Sequence, residues 1–179
     1  MSQYSIRKAG EGDVEALAYL HTMGHKASHV GSARDAYIDA ITVDENIENW
    51  TRWFKKGEAD DVYIAEDSDG KPYGYVWFGP LKTPPPGMSP IRPLYTREIY
   101  GLYTLESSWG SGLGAQLMVF AFETMKQQKH SSVCLWVLKN NKRANAFYQK
   151  MGGERCGKMK STRGEANVVE SCFGWRKIP

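Results

Sequence analysis

The spacing of apolar residues in the first third of the chain predicts one strand and two helices. Residues 4–7 alternate between apolar and polar side chains, as a half-buried strand does. Apolar residues at helical spacing over residues 14–23 predict a helix, which Asp13 is placed to cap. Thr42 and Glu45 form a capping-box pattern, because each side chain can bond a backbone N–H group that the first helical turn leaves unpaired. A second helix is therefore expected to begin after Thr42.

The rest of the chain alternates between strand and helix patterns. Residues 62–65 and 73–78 are strand-like and flank an Asp-Gly turn, which predicts an antiparallel hairpin. The later segments are a strand at 98–105, a helix at 113–128, a strand at 133–138, a helix at 144–151, and strands at 155–160 and 167–175. This order predicts an α/β (α+β) fold with a central sheet of about seven strands, flanked by about four helices.

A proline-rich segment at residues 80–93 separates the early hairpin from the later segments. Six of its residues are proline, which lacks an N–H group and cannot continue a sheet. We expect a long surface loop, and loops of this length, which are uncommon in compact domains, are either functional lids or disordered. The segment is a candidate to close over a small substrate.

Composition narrows the class of protein. The chain has 179 residues, of which 41% are hydrophobic and 24% charged, and we expect one domain over residues 1–179. It contains no run of about 18 apolar residues and no signal-peptide pattern, which favours a cytoplasmic protein without a membrane partner. The net charge of +3 is not gathered into a Lys/Arg stripe, which favours a small polyanionic ligand over nucleic acid.

The cysteines do not form a metal-site or disulfide pattern. Cys134, Cys156 and Cys172 are odd in number, lie singly in apolar stretches and include no CxxC pair. Such thiols are typically buried and reduced. We expect no metal.

The stretch Trp109-Gly110-Ser111-Gly112-Leu113-Gly114 lies between a predicted strand and a predicted helix. Glycine lets backbone turn sharply and approach a ligand, and the first N–H groups of a helix are available to phosphate oxygens. A pyrophosphate cradle and a plain glycine turn both remain open on this pattern. A P-loop is excluded because GK[ST] is missing, and the glycine spacing differs from that of dinucleotide folds.

Two blocks of the sequence resemble the GNAT superfamily of acyl-CoA-dependent N-acetyltransferases. Residues 98–105 through 112–118 are similar to the family's pyrophosphate-binding strand, loop and helix. Residues 135–141 and 142–152 are similar to its next strand and helix. The resemblance implies the GNAT fold, in which a mixed, mostly antiparallel sheet is split between its fourth and fifth strands.

The resemblance also implies that acetyl-CoA is the cosubstrate and lies where these two strands separate. Main-chain groups at the end of the fourth strand would bond the pantetheine arm, and the glycine loop would hold the pyrophosphate. The implied cofactor-binding residues are Leu102, Tyr103, Thr104, Trp109, Gly110, Ser111, Gly112, Leu113, Gly114, Asn141 and Ala144. The chain departs from the family pattern at Trp109, where Gln or Arg is usual, at Ser108, where an aromatic or similar residue is usual, and at Gly153, where an aromatic residue is usual.

Three residues carry the implied chemistry. Tyr148 stands at the family position whose hydroxyl protonates the departing CoA thiolate, although a core aromatic is the alternative. Glu98 is a candidate general base for the attacking amine; a strand-end carboxylate in solvent, or one paired with Arg97, is the alternative. Asn141 either caps the last helix or contacts the cofactor arm.

The acceptor side of the site is less defined by the sequence. His21, His25 and His29 follow the first helix into its loop, where the family lines its acceptor pocket. We interpret them as solvated surface histidines, because no third zinc ligand accompanies them. Tyr75 and Trp77 are further candidates to border the acceptor.

The predicted function is transfer of an acetyl group from acetyl-CoA to a primary amine of a small molecule, by direct attack. The alternatives are acetylation of a protein N-terminus or lysine, and a non-catalytic acyl-CoA sensor. A homodimer is common in the family and remains open.

Overall fold

The computed structural model describes residues 3–28, 40–59, 61–82, 94–163 and 166–179. Its strands are β1 (Ser5–Lys8), β2 (Val62–Glu66), β3 (Pro72–Pro80), β4 (Arg97–Thr104), β5 (Val133–Leu138), β6 (Glu154–Arg163) and β7 (Ala166–Trp175). The helices found in the described residues are α1 (Val14–Ser28), α2 (Val43–Lys55), α3 (Leu113–Gln127) and α4 (Lys142–Lys150). The strands form one seven-stranded sheet in the order β1-β2-β3-β4-β5-β7-β6, which confirms the predicted α/β fold.

The sheet is mixed. β1 and β2, β2 and β3, β5 and β7, and β6 and β7 pair antiparallel, whereas β4 and β5 pair parallel. The register between β4 and β5 joins Arg97, Glu98 and Ile99 to the first three residues of β5. β4 continues to Thr104 beyond these pairs, as a split between the fourth and fifth strands requires.

The chain divides into two compact units, each of which is described by itself. Unit 1 consists of Met1–Trp77 and Gly101–Val119, and unit 2 of Phe78–Tyr100 and Phe120–Pro179. In unit 1, α1 packs against α2, and the fully buried side chains include Leu17, Leu20, Trp50, Ile64 and Tyr75.

Local sequence signals explain the ends of several elements in unit 1. The N–H of Glu45 donates to Thr42 Oγ1 at 3.2 Å, and the N–H of Thr42 donates to Glu45 Oε2 at 3.4 Å, so the predicted capping box is confirmed. In the β2–β3 turn, Gly70 has φ 77° and Asp67 Oδ1 accepts the N–H groups of Asp69 and Lys71, both at 3.0 Å.

Asp13 differs from the expected helix cap. Its carboxylate accepts bonds from the Arg7 guanidinium at 2.8 and 2.9 Å and from the N–H of Gly10 at 2.9 Å. It therefore closes the 3-10 turn before α1 (Glu11–Asp13) and ties that turn to β1. The Arg7 hydrogen bond lowers the pKa of Asp13.

In unit 2, β5 is mostly buried, as its continuous apolar run predicts. Phe173 and Trp175 of β7 are also buried, and Phe122 of α3 packs edge-on against Trp175 with ring centroids 5.3 Å apart. Most of the proline-rich segment, residues 83–93, lies outside the described residues. No helix in the described ranges is long and apolar enough to cross a membrane.

Candidate active site

The glycine loop begins directly after β4 in unit 1. A 3-10 turn at Glu106–Ser108 leads into it, and α3 begins at Leu113. Gly110 has φ 82° and Gly112 has φ 87°, in the left-handed region that side chains other than glycine's disfavour. A Cβ atom built at either glycine has no heavy atom within 4 Å. The loop thus turns twice through glycine and leaves open space beside its backbone.

Hydrogen bonds from serine and tryptophan side chains fix the start of this loop. Ser108 is buried and donates from Oγ to the carbonyl of Leu105 at 2.7 Å, and Ser111 donates from Oγ to the carbonyl of Ser108 at 2.6 Å. The half-buried indole of Trp109 donates from Nε1 to the carbonyl of Thr104 at 3.2 Å. Trp109 therefore connects the loop to the end of β4 through a hydrogen bond. The family pattern would have a charged or amide side chain at position 109.

The end of β4 presents its backbone groups on alternate sides. The carbonyl of Tyr103 lies against Gly74 of β3, because a Cβ built at Gly74 would stand 2.8 Å from it. Backbone carbonyls alternate along a strand, so those of Leu102 and Thr104 point away from β3. These are the two residues whose main chain the resemblance assigns to the pantetheine arm.

The side chain of Tyr103 lies in a histidine and aromatic cluster on unit 1. Its hydroxyl bonds His25 Nε2 at 3.1 Å, and the hydroxyl of Tyr75 bonds His21 Nδ1 at 2.8 Å. The two imidazole rings stack with centroids 4.7 Å apart, and Trp50 meets His21 edge-on. Burial raises the pKa of Tyr75 well above its usual value, so its hydroxyl remains protonated.

The interpretation of His21 and His25 as solvated surface residues is therefore wrong. His25 is 9% exposed, and both rings have aromatic neighbours and hydrogen-bond partners within unit 1. Their partners are 54 and 78 residues away along the chain, so helical spacing alone did not reveal them. His29 lies outside the described residues.

Glu98 of unit 2 is buried, with 5% of its surface exposed. Its Oε2 accepts the N–H of Lys82 at 2.8 Å. The alternative of a carboxylate in solvent is wrong. This bond fixes the backbone just after the end of β3. The Nζ of Lys82 also lies 4.5 Å from the centroid of the Tyr100 ring.

Tyr148 of unit 2 lies on α4 and is 8% exposed. Its ring packs near those of Phe147 and Phe173, with centroids 5.2 and 6.0 Å away. Such burial limits the access of water to the phenol, which suits a proton donor and equally suits a core aromatic.

Two asparagines fix the start of α4. Asn141 Oδ1 accepts the N–H of Ala144 at 3.0 Å, so the capping role is confirmed. Asn145 Nδ2 donates to the carbonyl of Leu138 at 2.9 Å and to that of Asn141 at 2.7 Å, which joins the helix to the end of β5. Sequence patterns did not identify this role of Asn145, because a polar residue inside a helix does not indicate which backbone carbonyl its side chain bonds.

The end of α4 explains the departure at Gly153. A Cβ built there would stand 2.7 Å from Cζ2 of Trp175, and the Trp175 indole N–H donates to the carbonyl of Met151 at 2.9 Å. The N–H of Gly153 donates to the carbonyl of Tyr148 at 3.0 Å. Trp175 thus supplies an aromatic ring against residue 153, and a side chain at 153 would displace it.

Each unit therefore brings together part of the predicted site. The glycine loop, Leu102, Tyr103 and Thr104 lie in unit 1, and Glu98, Asn141, Ala144 and Tyr148 lie in unit 2. Among the residues that the structure describes, no group of three or more His, Cys, Asp or Glu side chains could hold a metal ion. Cys134, Cys156 and Cys172 are free cysteines, and Cys134 and Cys172 are buried.

Known proteins share both the sequence pattern and the fold. The pattern of the "Acetyltransferase (GNAT) family" matches residues 31–153, well over half of the chain. An uncharacterized N-acetyltransferase of Bacillus subtilis (strain 168), YuaI, is 25% identical over 171 residues, covering 96% of this chain and 92% of that protein.

Two solved structures have a similar fold. The PaiA N-acetyltransferase of Thermoplasma acidophilum, in complex with coenzyme A, has a TM-score of 0.68 at 19% identity and covers 93% of this chain and 97% of its own. YncA of Salmonella typhimurium, solved with its cofactor acetyl-CoA, has a TM-score of 0.70 at 16% identity, with 99% and 95% covered. The chain belongs to the GNAT family of acetyltransferases.

Proposed function

We propose that this N-acetyltransferase transfers the acetyl group of acetyl-CoA to a primary amine of a small molecule, with residues 1–179 acting as one domain. The observation that carries the proposal is the glycine loop at the start of α3. Gly110 and Gly112 adopt positive φ and have open space where side chains would stand. Helix N-termini with exposed N–H groups bind phosphate groups, and the pyrophosphate of coenzyme A is such a group.

The residues present fit coenzyme A. Ser111, Gly112, Leu113 and Gly114 surround the first turn of α3 and would hold the pyrophosphate through their N–H groups. The N–H of Ser111 donates to the carbonyl of Ser108 at 3.2 Å and that of Leu113 to Ser111 Oγ at 3.4 Å, so these two would exchange or share their bonds with the phosphate oxygens. Trp109 and Gly110 form the entry to that turn. Because Trp109 carries no charge, pyrophosphate binding here depends on main-chain donors and on the helix dipole.

The pantetheine arm would bond the main chain of Leu102 and Thr104, on either side of Tyr103, as an added strand does. The carbonyls of Leu102 and Thr104 point away from β3, which supports this role. Thr104 also accepts the Trp109 indole N–H, so the pyrophosphate loop and the pantetheine-binding strand are joined by one hydrogen bond.

The reaction proceeds by direct transfer. Glu98 accepts a proton from the acceptor amine, whose nitrogen attacks the thioester carbonyl carbon. The C–N bond forms, the C–S bond breaks, and the leaving thiolate takes the hydroxyl proton of Tyr148. The burial of Tyr148 and Glu98 supports these roles, since little water competes for the protons. Asn141 and Asn145 keep α4, which carries Ala144 and Tyr148, fixed on β5.

The sequence of residues 80–93 supports a small acceptor over a protein. This proline-rich segment is a candidate, on its sequence, to close over a small substrate, although residues 83–93 lie outside the described residues. A protein N-terminus or lysine would need an open groove instead.

A thiol-release assay tests the proposal. The purified chain is incubated with acetyl-CoA and, separately, amino acids, polyamines, aminoglycosides and short peptides, and released CoA is measured in quenched aliquots. Titration calorimetry with coenzyme A runs beside it. Turnover with small amines but not peptides supports the proposal; turnover with peptides moves the acceptor class to proteins. Tight CoA binding without turnover on any amine would overturn the enzymatic role in favour of a sensor.

A further inference from the structure

The three cysteines of the chain lie together in unit 2, on three neighbouring strands. Cys134 is on β5, Cys172 on β7 and Cys156 on β6. Cys134 and Cys172 form a buried cluster with Tyr95, and Cys156 packs against that cluster. The sequence positions are far apart, so only the order of the strands, β5-β7-β6, brings these thiols together.

An irregularity in the β6–β7 ladder places Cys156 beside Cys172. Arg155 pairs with Phe173 and Gly157 pairs with Cys172, so Cys156 is the extra residue of a β-bulge. In a bulge, two residues of one strand oppose a single residue of its partner. Cys156 is therefore the unpaired residue next to the Gly157–Cys172 pair, and it packs against the cluster that contains Cys172.

The thiols of this cluster differ in access to solvent. Cys172 and Cys134 are fully buried, whereas Cys156 is partly exposed. Small reagents can therefore reach Cys156, whereas Cys172 lies in the buried cluster against which Cys156 packs. Peroxide-sensitive pairs share this arrangement, in which an accessible thiol lies next to a second, resolving thiol.

The surroundings of Cys156 stabilise its thiolate. A hydrogen bond from Cys172 lowers the pKa of Cys156 to about 7, and a hydrogen bond from Tyr95 and the positive charge of Arg176 act in the same direction. The pKa of Cys172 is raised by its hydrogen bonds with Cys134 and Cys156 and by burial, so Cys172 remains a thiol. Thiolates are the nucleophilic form of cysteine.

We propose that Cys156 is a peroxide-reactive cysteine and that Cys172 resolves its oxidised form into a disulfide between β6 and β7. The Cys156 thiolate attacks one oxygen of hydrogen peroxide; an S–O bond forms, the O–O bond breaks, and the hydroxide that leaves is protonated to water. Cys172 Sγ then attacks the sulfenic acid. The S–S bond forms, the S–O bond breaks, and the second hydroxide takes the Cys172 proton and leaves as water. Two thiols are oxidised and one peroxide is reduced.

The test uses the full chain under native conditions. The protein is treated with hydrogen peroxide, residual thiols are blocked with iodoacetamide, and the digest is analysed by tandem mass spectrometry with and without dithiothreitol. A Cys156–Cys172 linked peptide that dithiothreitol removes is expected. Absence of any link, or a link that contains Cys134, would overturn the proposal.

Variants separate the two steps. In Cys172→Ala, the link should disappear and dimedone should label the sulfenic acid of Cys156. Cys134→Ala is the matched control, since it removes a buried neighbour and should keep the link. Because a buried substitution can impair folding, a second measurement uses the unmodified chain: iodoacetamide should alkylate Cys156 at least tenfold faster than Cys134 at neutral pH. Equal rates would contradict a reactive Cys156.

Discussion

Gly24 of α1 lies directly against the side chain of Tyr103: a Cβ built at Gly24 would stand 2.5 Å from Cδ1 and 2.6 Å from Cβ of that tyrosine. The Tyr103 Cβ cannot move away by side-chain rotation. Gly24 is therefore what allows α1 to approach β4 closely enough for His25 to reach the Tyr103 hydroxyl.

Gly24→Ala should destabilise the protein. Overpacking typically costs about 1–3 kcal/mol, and the better helix propensity of alanine offsets about 1 kcal/mol of that cost. Because the clash includes the immovable Cβ of Tyr103, the cost lies at the upper end of that range, and we expect the free energy of unfolding to fall by about 2 kcal/mol in urea denaturation. Gly12→Ala is the control, because a Cβ there has no heavy atom within 4 Å. An unchanged stability of Gly24→Ala would mean that the contact is looser than described.

Gly112→Ala should weaken coenzyme A binding. Its φ of 87° forces a side chain into a strained conformation, and the new methyl group would enter the open space beside the loop. The strain alone costs about 1–2 kcal/mol of stability. We expect at least a tenfold rise in the Kd for coenzyme A by calorimetry. Gly70→Ala introduces the same strain at φ 77° in the β2–β3 turn and should leave that Kd unchanged, so equal effects of the two variants would remove the loop's binding role.

Tyr148→Phe should lower kcat at least tenfold while the Kd for coenzyme A stays within about twofold, because general acid catalysis contributes roughly a hundredfold or more. The ring and its packing against Phe173 are retained, so stability provides the control. Steady-state kinetics at several pH values is the measurement. A variant as fast as the wild type would leave Tyr148 with a packing role only.

Glu98 has two separable roles that a pair of substitutions distinguishes. Gln at this position still accepts the Lys82 N–H but cannot take a proton, so Glu98→Gln should keep its melting temperature and lose at least tenfold in kcat. Glu98→Ala should lose both stability and rate. If Glu98→Gln turns over normally and only the alanine variant is impaired, the carboxylate serves structure and another group is the base.

Asp13→Asn should remove a pH-dependent contribution to stability. The Arg7 hydrogen bond lowers the pKa of Asp13, so its contribution is present above the unfolded-state pKa of about 3.9 and is lost as pH falls through the lower folded-state pKa. Arg7 is about half exposed, and we expect a loss of about 1 kcal/mol at pH 7 that shrinks at low pH. Urea denaturation at several pH values measures this loss in the free energy of unfolding, with Glu11→Gln as the control. A loss that does not change with pH would exclude the ion pair as its source.

Signals that act within a few residues predicted most of the fold. The sequence did not predict the features that depend on contacts between residues far apart in the chain. The capping box of Thr42 and the turn glycine at 70 act within a few residues, so their pattern was sufficient. Asp13 was misjudged as a helix cap because Arg7 of β1 competes for its carboxylate. His21 and His25 were misjudged because their tyrosine partners come from β3 and β4, and sequence spacing does not predict which side chains such strands bring to a helix.

The candidate site, too, could be predicted from the sequence only where its features depend on neighbouring residues. The glycine loop could be recognised because positive φ requires glycine at particular positions, and those positions are visible in the sequence. The hydrogen bonds from Trp109 to Thr104 and from Asn145 to Leu138 could not be predicted. Each joins a side chain to a backbone carbonyl, and every residue type carries such a carbonyl.

The bulge at Cys156 also affects how the sheet meets other molecules. β6 is an outer strand of the sheet, and such strands offer unpaired N–H and C=O groups to which another chain can add. An extra residue breaks the even spacing of those groups and bends the strand. The irregular step in β6 therefore interrupts this edge near its start, so that a strand added there could not pair evenly along the whole of β6.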